Sequence, residues 1–196
     1  MANKIKYGLK NVYYAKATIA DNGTATYDTP VAIPGAVNLS LPPRGDNTVF
    51  HADNIVYWVG NGNTGYEGDL EIARVPDSFK EDIQGMIEDS KGVLIEDMNA
   101  EIVHFALLFQ FEGDAKATKH VMYNCTCGRP DVAGQTKGET IEPQTETLPI
   151  AATSIYNAAL DKDIVKGETK EDTDPTTYAG WTSAVYQPTG SSIVTT

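Results

Sequence analysis

Apolar and polar residues alternate with period two along most of this chain, the signature of strands that turn one face to a core. Over residues 101–111, Val103, Phe105, Leu107, Phe109 and Phe111 fall on one side and Ile102, His104, Ala106, Leu108 and Gln110 on the other. That pattern predicts a central strand whose second face is only partly polar. Residues 119–127 set Val121, Tyr123, Cys125 and Cys127 against His120, Met122, Asn124 and Thr126, and Glu112-Gly113-Asp114 between the two runs predicts an antiparallel hairpin. A second hairpin is predicted where residues 12–19 and 24–31 flank Asp21-Asn22-Gly23, residues that accept positive φ. Residues 36–41 alternate and stop at Pro42-Pro43. Residues 66–73 alternate most regularly, with Tyr66, Gly68, Leu70 and Ile72 opposite Glu67, Asp69 and Glu71. The fold class is mainly β.

Two segments depart from this pattern. Val75-Pro76-Asp77-Ser78 opens a helix expected over about residues 77–88, with Ser78 and Glu81 spaced as a capping box. Phe79, Ile83, Met86 and Ile87 make its apolar stripe, while Glu81, Asp82 and Glu88 face water. The long segment at about residues 44–65 holds Ile55-Val56-Tyr57-Trp58-Val59, apolar on both faces, and closes with Gly60-Asn61-Gly62-Asn63-Thr64-Gly65. It reads either as a strand of the sheet or as a protruding hairpin covered by another subunit. An exposed apolar hairpin invites aggregation, and so long a loop is ordinarily functional. Phe50, Ile55, Tyr57 and Trp58 are therefore candidate interface residues.

Beyond about residue 128 the chain turns to Thr, Pro, Gly and charge. Residues 137–150 predict one or two strands at most, and residues 161–177 have little to bury. Tyr178, Trp181, Val185 and Tyr186 then recur, which predicts an arm over residues 161–196 that docks on its own domain or on a neighbour. Tyr178, Trp181 and Tyr186 join the interface candidates, and residues 1–160 form the main domain. No internal repeat is present.

At 196 residues the chain suffices for one domain with a real core. Lys and Arg number 15 against 27 Asp and Glu, a net charge of -12, which argues against holding nucleic acid by counterion release. No run reaches the roughly 18 to 20 apolar residues of a membrane span, and the opening Met-Ala-Asn-Lys-Ile-Lys lacks a signal peptide's apolar core. The expectation is a soluble protein kept in a cytoplasm. The 2 cysteines, Cys125 and Cys127, are read as free thiols because a one-residue loop strains a disulfide. The Asn-X-Ser/Thr matches at Asn22, Asn38 and Asn124 then carry no meaning.

Candidate chemistry is thin. No Gly-X-Ser-X-Gly elbow, P-loop or dinucleotide fingerprint occurs. His120, Cys125 and Cys127, with His104 across the hairpin, have the residue types of a zinc site, but strand parity sets His120 opposite both cysteines. Glu67, Asp69 and Glu71 stand about 7 Å apart along one strand face. That face reads as solvated, as a glycosidase carboxylate pair, or as the wall of a channel where carboxylates keep phosphate from sticking. Arg44-Gly45-Asp46 matches an adhesion tripeptide too short to count. No cofactor is expected.

Three blocks in order carry a resemblance. They are Lys6-Tyr7-Gly8-Leu9-Lys10-Asn11-Val12-Tyr13-Tyr14-Ala15; Gly65-Tyr66-Glu67-Gly68-Asp69-Leu70-Glu71-Ile72-Ala73 with Val75-Pro76-Asp77-Ser78-Phe79 and residues 92–96; and residues 105–114 with His120-Val121 and residues 125–130. Over roughly residues 5–190 the chain resembles the major tail proteins of long-tailed bacteriophages, which build the tail tube. The resemblance implies a β-sandwich or barrel with a flanking helix, hexameric rings stacked into a hollow tube, and a lumen that passes the genome without specific binding. It implies a non-enzymatic virion protein, found in the host cytoplasm before assembly, whose partners are itself, a tape-measure protein, the tail terminator and distal tail proteins. Residues 44–65 and the arm would bridge subunits, and Glu67, Asp69 and Glu71 would face the lumen. The competing readings are a tube-like or terminator tail component sharing the fold, a sugar-binding or other β-sandwich binding module, and a β-sandwich enzyme.

Overall fold

The computed structural model describes residues 3–137 and 142–190, so residues 138–141 of the polar passage and 191–196 of the predicted arm lie outside the described residues. In chain order the elements are β1 (Lys6–Ile19), β2 (Ala25–Tyr27), β3 (Val31–Ala32), β4 (Ala36–Ser40), β5 (Pro43–Arg44), β6 (Asn47–Ala52), β7 (Ile55–Asn61) and β8 (Gly65–Ile72). Helix α1 (Asp77–Asp82), β9 (Ile87–Glu88), β10 (Leu94–Ile95), β11 (His104–Gly113) and β12 (Thr118–Cys127) follow. The chain continues through β13 (Glu146–Thr153), β14 (Ile155–Asn157), β15 (Lys162–Ile164), β16 (Lys166–Glu168) and α2 (Pro175–Gly180). The protein is mainly β, with two short helices where the sequence predicts one.

The main sheet is antiparallel in the order β2-β1-β11-β12-β13-β8-β4, with β3 on β1, β5 on β8 and β16 on β12. Only Ile33-Pro34-Gly35 separates β3 on β1 from β4 on β8, so this short stretch draws two distant strands together. Ile33 donates its N–H to the Val12 carbonyl at 2.8 Å and Gly35 accepts from the Ala73 N–H at 2.8 Å. The sheet thus curls into a barrel-like sandwich.

Both faces of β11 are buried, which is why its second face is apolar in the sequence. Phe105, Ala106, Leu107 and Leu108 are each 0% exposed. Phe105 and Leu107 join Tyr14, Leu70, Ile72, Leu148 and Ile150 inside the barrel. Ala106 and Leu108 join Ala15, Val121, Tyr123, Ile155, Trp181 and Val185 in a second core on the outer face. Each buried Leu or Phe contributes about 1.5–3 kcal/mol, and no disulfide is needed.

Helix α1 closes the inner core at one end. Phe79 packs edge-on to Tyr14 and Phe105 with centroids 5.0 and 5.6 Å away, and the Tyr14 hydroxyl donates to Asp82 Oδ2 at 2.7 Å. The helix is half the predicted length. Gly85 takes φ +69, a left-handed conformation that ends a right-handed helix, and Ile87 and Glu88 belong to a strand. The expected capping box does not form, because the N-cap is Pro76 and it has no side-chain cap bond. Phe79 and Ile83 keep the predicted buried stripe, whereas Ile87 is exposed.

Two turn and register details also differ from the sequence reading. In the β1–β2 turn only Gly23 has positive φ, so the turn runs over Asp21-Asn22 with a left-handed glycine after it. In the β11–β12 hairpin Phe105 pairs with Cys125 but Leu107 pairs with Met122, a bulge that shifts the alternation. Met122 and Cys125 therefore both face the inner core while Val121 and Tyr123 face the outer one.

Candidate assembly surfaces

Between Arg44 of β5 and Gly65 of β8, which belong to the main sheet, the segment is a hairpin, the second of the two alternatives, and not a strand of that sheet. Strands β6 and β7 pair with each other as a separate two-stranded ribbon. Asp53 and Asn54, with φ 52 and 62, form its two-residue turn, and Ala52 opposes Ile55 directly. Both φ values are positive, as a type I′ turn requires, and Asp and Asn tolerate them. The signal was legible as Asp-Asn between two apolar runs.

At its root the ribbon prolongs the β5–β8 ladder through Thr64 N–H to the Arg44 carbonyl and Gly62 N–H to the Asp46 carbonyl, at 3.0 and 3.2 Å. Gly65 marks the exit at φ +106, where a Cβ would stand 2.0 Å from the Ala152 carbonyl oxygen. No other residue fits there. Arg44 also pairs with Glu67 across the root at 3.0 Å.

Seven apolar side chains on this ribbon are open to solvent: Val49, Phe50, Ile55, Val56, Tyr57, Trp58 and Val59, from 45% to 70% exposed. Cross-strand pairs Val49–Val59 and Phe50–Trp58 are adjacent along the ribbon and so fall on opposite faces. Phe50 meets Tyr57 edge-on at 6.5 Å, which is contact within the ribbon. An isolated two-stranded ribbon is marginally stable in water, and this one leaves both faces apolar.

The other predicted interface set behaves differently. Residue 161 sits in the turn between β14 and β15, which pair with each other. The described part of the arm, residues 161–190, packs on its own domain. Trp181 is 4% exposed in the outer core, its Nε1–H donates to the His120 carbonyl at 3.3 Å, and it stacks on Tyr186 at 5.3 Å. The Tyr178 hydroxyl donates to the Ala117 carbonyl at 2.9 Å, and Lys116 and Lys119 stand over its ring at 4.1 and 4.2 Å. Trp181 and Tyr178 are engaged within the subunit, and Tyr186 is 37% exposed.

Glu67 and Asp69 are exposed and Glu71 half-buried on the outward face of β8. The register places Asn38 and Ser40 of β4 and Thr147 of β13 beside them, and Glu71 accepts from the Thr145 hydroxyl at 2.6 Å. This is an open polar face and not a cleft.

The bulge in β12 removes the parity objection to a metal site, since His120 and both cysteines share the inner side. Among the described residues, however, no three His, Cys, Asp or Glu side chains gather as a ligand group. His104 binds Asn124 Oδ1 through Nδ1 at 2.7 Å. Both thiols are free, and burial pushes Cys125 well above the ordinary thiol range and Cys127 up to about 12.

Scanned against protein-family models the chain matches none, and a search of the curated proteins gives no match.

Two features lay outside the sequence reading. Ile87, Val93, Ile95, Met98 and Ile102 are exposed around β9 and β10. Because β8 begins at the ribbon root and ends toward α1, this second apolar group lies at the opposite end of the barrel. A cavity of about 220 Å³ also opens at the ribbon end, lined by Lys6, Leu41, Tyr66, Phe109, Phe111, His120 and Lys166 among others. No periodicity marks it, because its residues come from six separate strands.

Proposed function

We propose that the protein is a non-enzymatic structural subunit that polymerises with copies of itself as the rings of a phage tail tube, the role that its resemblance to the major tail proteins implies. The observation that carries the reading is the β6–β7 ribbon, whose seven exposed apolar side chains are arranged on both faces. Ordinary monomers do not hold such a surface open to water, and two free faces suit a ribbon sandwiched between neighbours. Burying it removes apolar area at about 25 cal/mol per Å², which favours association before any polar contact is counted.

The polar face of β13-β8-β4 with Glu67, Asp69 and Glu71 is the proposed lumen wall. Carboxylates there repel phosphate and let a genome slide without holding it. The net charge of -12 agrees with a protein that conducts nucleic acid and does not bind it. The tape-measure protein, the tail terminator and the distal tail proteins are the proposed partners in the virion.

The test is negative-stain electron microscopy of the purified protein across a concentration series, with light scattering for mass. Rings or hollow tubes are expected. A protein that stays monomeric throughout, and remains so when tail initiator proteins are added, overturns the proposal. A tube whose lumen excludes Glu67, Asp69 and Glu71 overturns the lumen assignment alone.

A further inference from the structure

Beside the C-terminal segment, on the outer face of the sheet, lies a second cavity of about 230 Å³. Leu160, Ile164, Trp181, Tyr186 and Pro188 give it apolar walls, and three threonines with strand β16 complete it. A cavity of about 150 Å³ takes a benzene ring, so this one has room for a branched aliphatic side chain and the backbone that carries it.

Tyr123 sets a polar requirement. It is 1% exposed and its hydroxyl has no hydrogen-bond partner among the described residues, yet its oxygen keeps some accessible surface. A Cβ on Gly167, a wall residue like Tyr123 itself, would stand 2.8 Å from that oxygen, so the hydroxyl ends against the β16 wall of the cavity. Burial, with the Tyr186 phenol nearby, pushes its pKa up, so it stays protonated and able to donate. An occupant that brings an oxygen acceptor is favoured over a purely apolar one.

The described chain ends at this cavity. Gln187 Nε2 donates to the Ala25 carbonyl at 3.0 Å, Pro188 is a wall residue, and Gly190 takes φ +147, a backbone region that glycine enters far more readily than other residues. Residues 191–196 follow as Ser-Ser-Ile-Val-Thr-Thr, with no charged side chain and only two apolar ones, Ile193 and Val194. A two-residue reversal over Gly190 and Ser191 sets residue 193 opposite residue 188 and turns residue 194 to the other side. The tether gives this tail an effective concentration on the order of millimolar at the cavity, far above that of a free partner present at about micromolar.

We infer that residues 191–196 fold back onto the subunit that carries them, with the Ile193 side chain in this cavity and a backbone carbonyl of the tail accepting from the Tyr123 hydroxyl. The last residues of the arm then complete the subunit's own outer core and do not bridge subunits. This seat is independent of whether the protein assembles.

Urea unfolding of the full-length protein, below the concentration at which it assembles, tests the seat. Ile193→Asp is expected to lower the midpoint by about 1 M, the loss of one buried branched side chain. Val194→Asp is expected to match wild type. Tyr123→Phe is expected to lower the midpoint of the wild-type chain and to add nothing to Ile193→Asp, since the hydroxyl then has no partner to lose.

An Ile193→Asp midpoint equal to that of wild type overturns the inference. So does a deficit that appears only above the assembly concentration, which puts the tail on a second copy. Equal losses for Ile193→Asp and Val194→Asp overturn Ile193 as the insert. Additive losses for Tyr123→Phe and Ile193→Asp overturn this cavity as the place where the tail sits.

Discussion

Replacing Trp181 by Ala tests whether the C-terminal segment is what covers the outer core. Trp181 is 4% exposed and touches the face of the sheet that Leu108, Val121 and Tyr123 present. Burying about 250 Å² of indole at about 25 cal/mol per Å² is worth at most about 6 kcal/mol. A compact unfolded chain trims that by about 10–40%, which leaves about 4–5 kcal/mol, within the range of about 3–5 for Trp→Ala in cores. Among the described residues past 169, Trp181 and Val185 are the only buried ones, so the loss falls on the segment's attachment. Urea unfolding followed by far-ultraviolet circular dichroism is expected to show a midpoint lower by about 2 M if the domain unfolds as one unit, taking about 2 kcal/mol per molar for the slope. If the segment detaches first, trypsin is expected to cut at Lys166 or Lys170 in native buffer, where wild type resists. A variant with the wild-type midpoint and wild-type resistance refutes the argument, because the outer core would then be held without Trp181.

Trp58→Asp is expected to abolish assembly while leaving the circular dichroism spectrum unchanged. The 57% of its surface still exposed is about 140 Å², worth about 3.5 kcal/mol or a few hundred-fold in affinity when a neighbour covers it. Stability is expected to fall as pH drops from about 6.5 to about 4, because burial, opposed by Glu168 and assisted by Lys166 and Lys6, holds His120 unprotonated in the fold to about 4. Over that window the unfolded chain takes up a proton that the native state does not, so His120→Phe is expected to flatten the slope of urea midpoint against pH relative to wild type. Neither thiol is expected to react with iodoacetamide at pH 8 in the native state, and both are expected to react in urea, because burial raises both pKa values. Rapid native labelling of Cys125, counted by mass spectrometry, would contradict its place inside the barrel.

Alternation alone determined the fold class, the β11–β12 pair, the regular β8 strand and the apolar second face of β11. Period two is a local property of each strand, and burial on both faces leaves its mark in residue type wherever it occurs. The anomaly at residues 44–65 was equally local, since an apolar run on both faces needs a partner whatever the fold. The helix length was not legible, because Gly85 is one residue in an otherwise continuous stripe and only its left-handed backbone ends the turn. Nor was the face of Met122 and Cys125, since a bulge inserts one residue into the pairing without leaving a trace in composition. Tertiary structure alone decided that Trp181 is spent inside its own subunit while Trp58 is not, although both are tryptophans near polar, turn-rich sequence. It also decided that Lys6, Tyr66, Phe111, His120 and Lys166 share one cavity, because that depends on how the sheet curls, and curling is set by pairings between strands far apart in the chain.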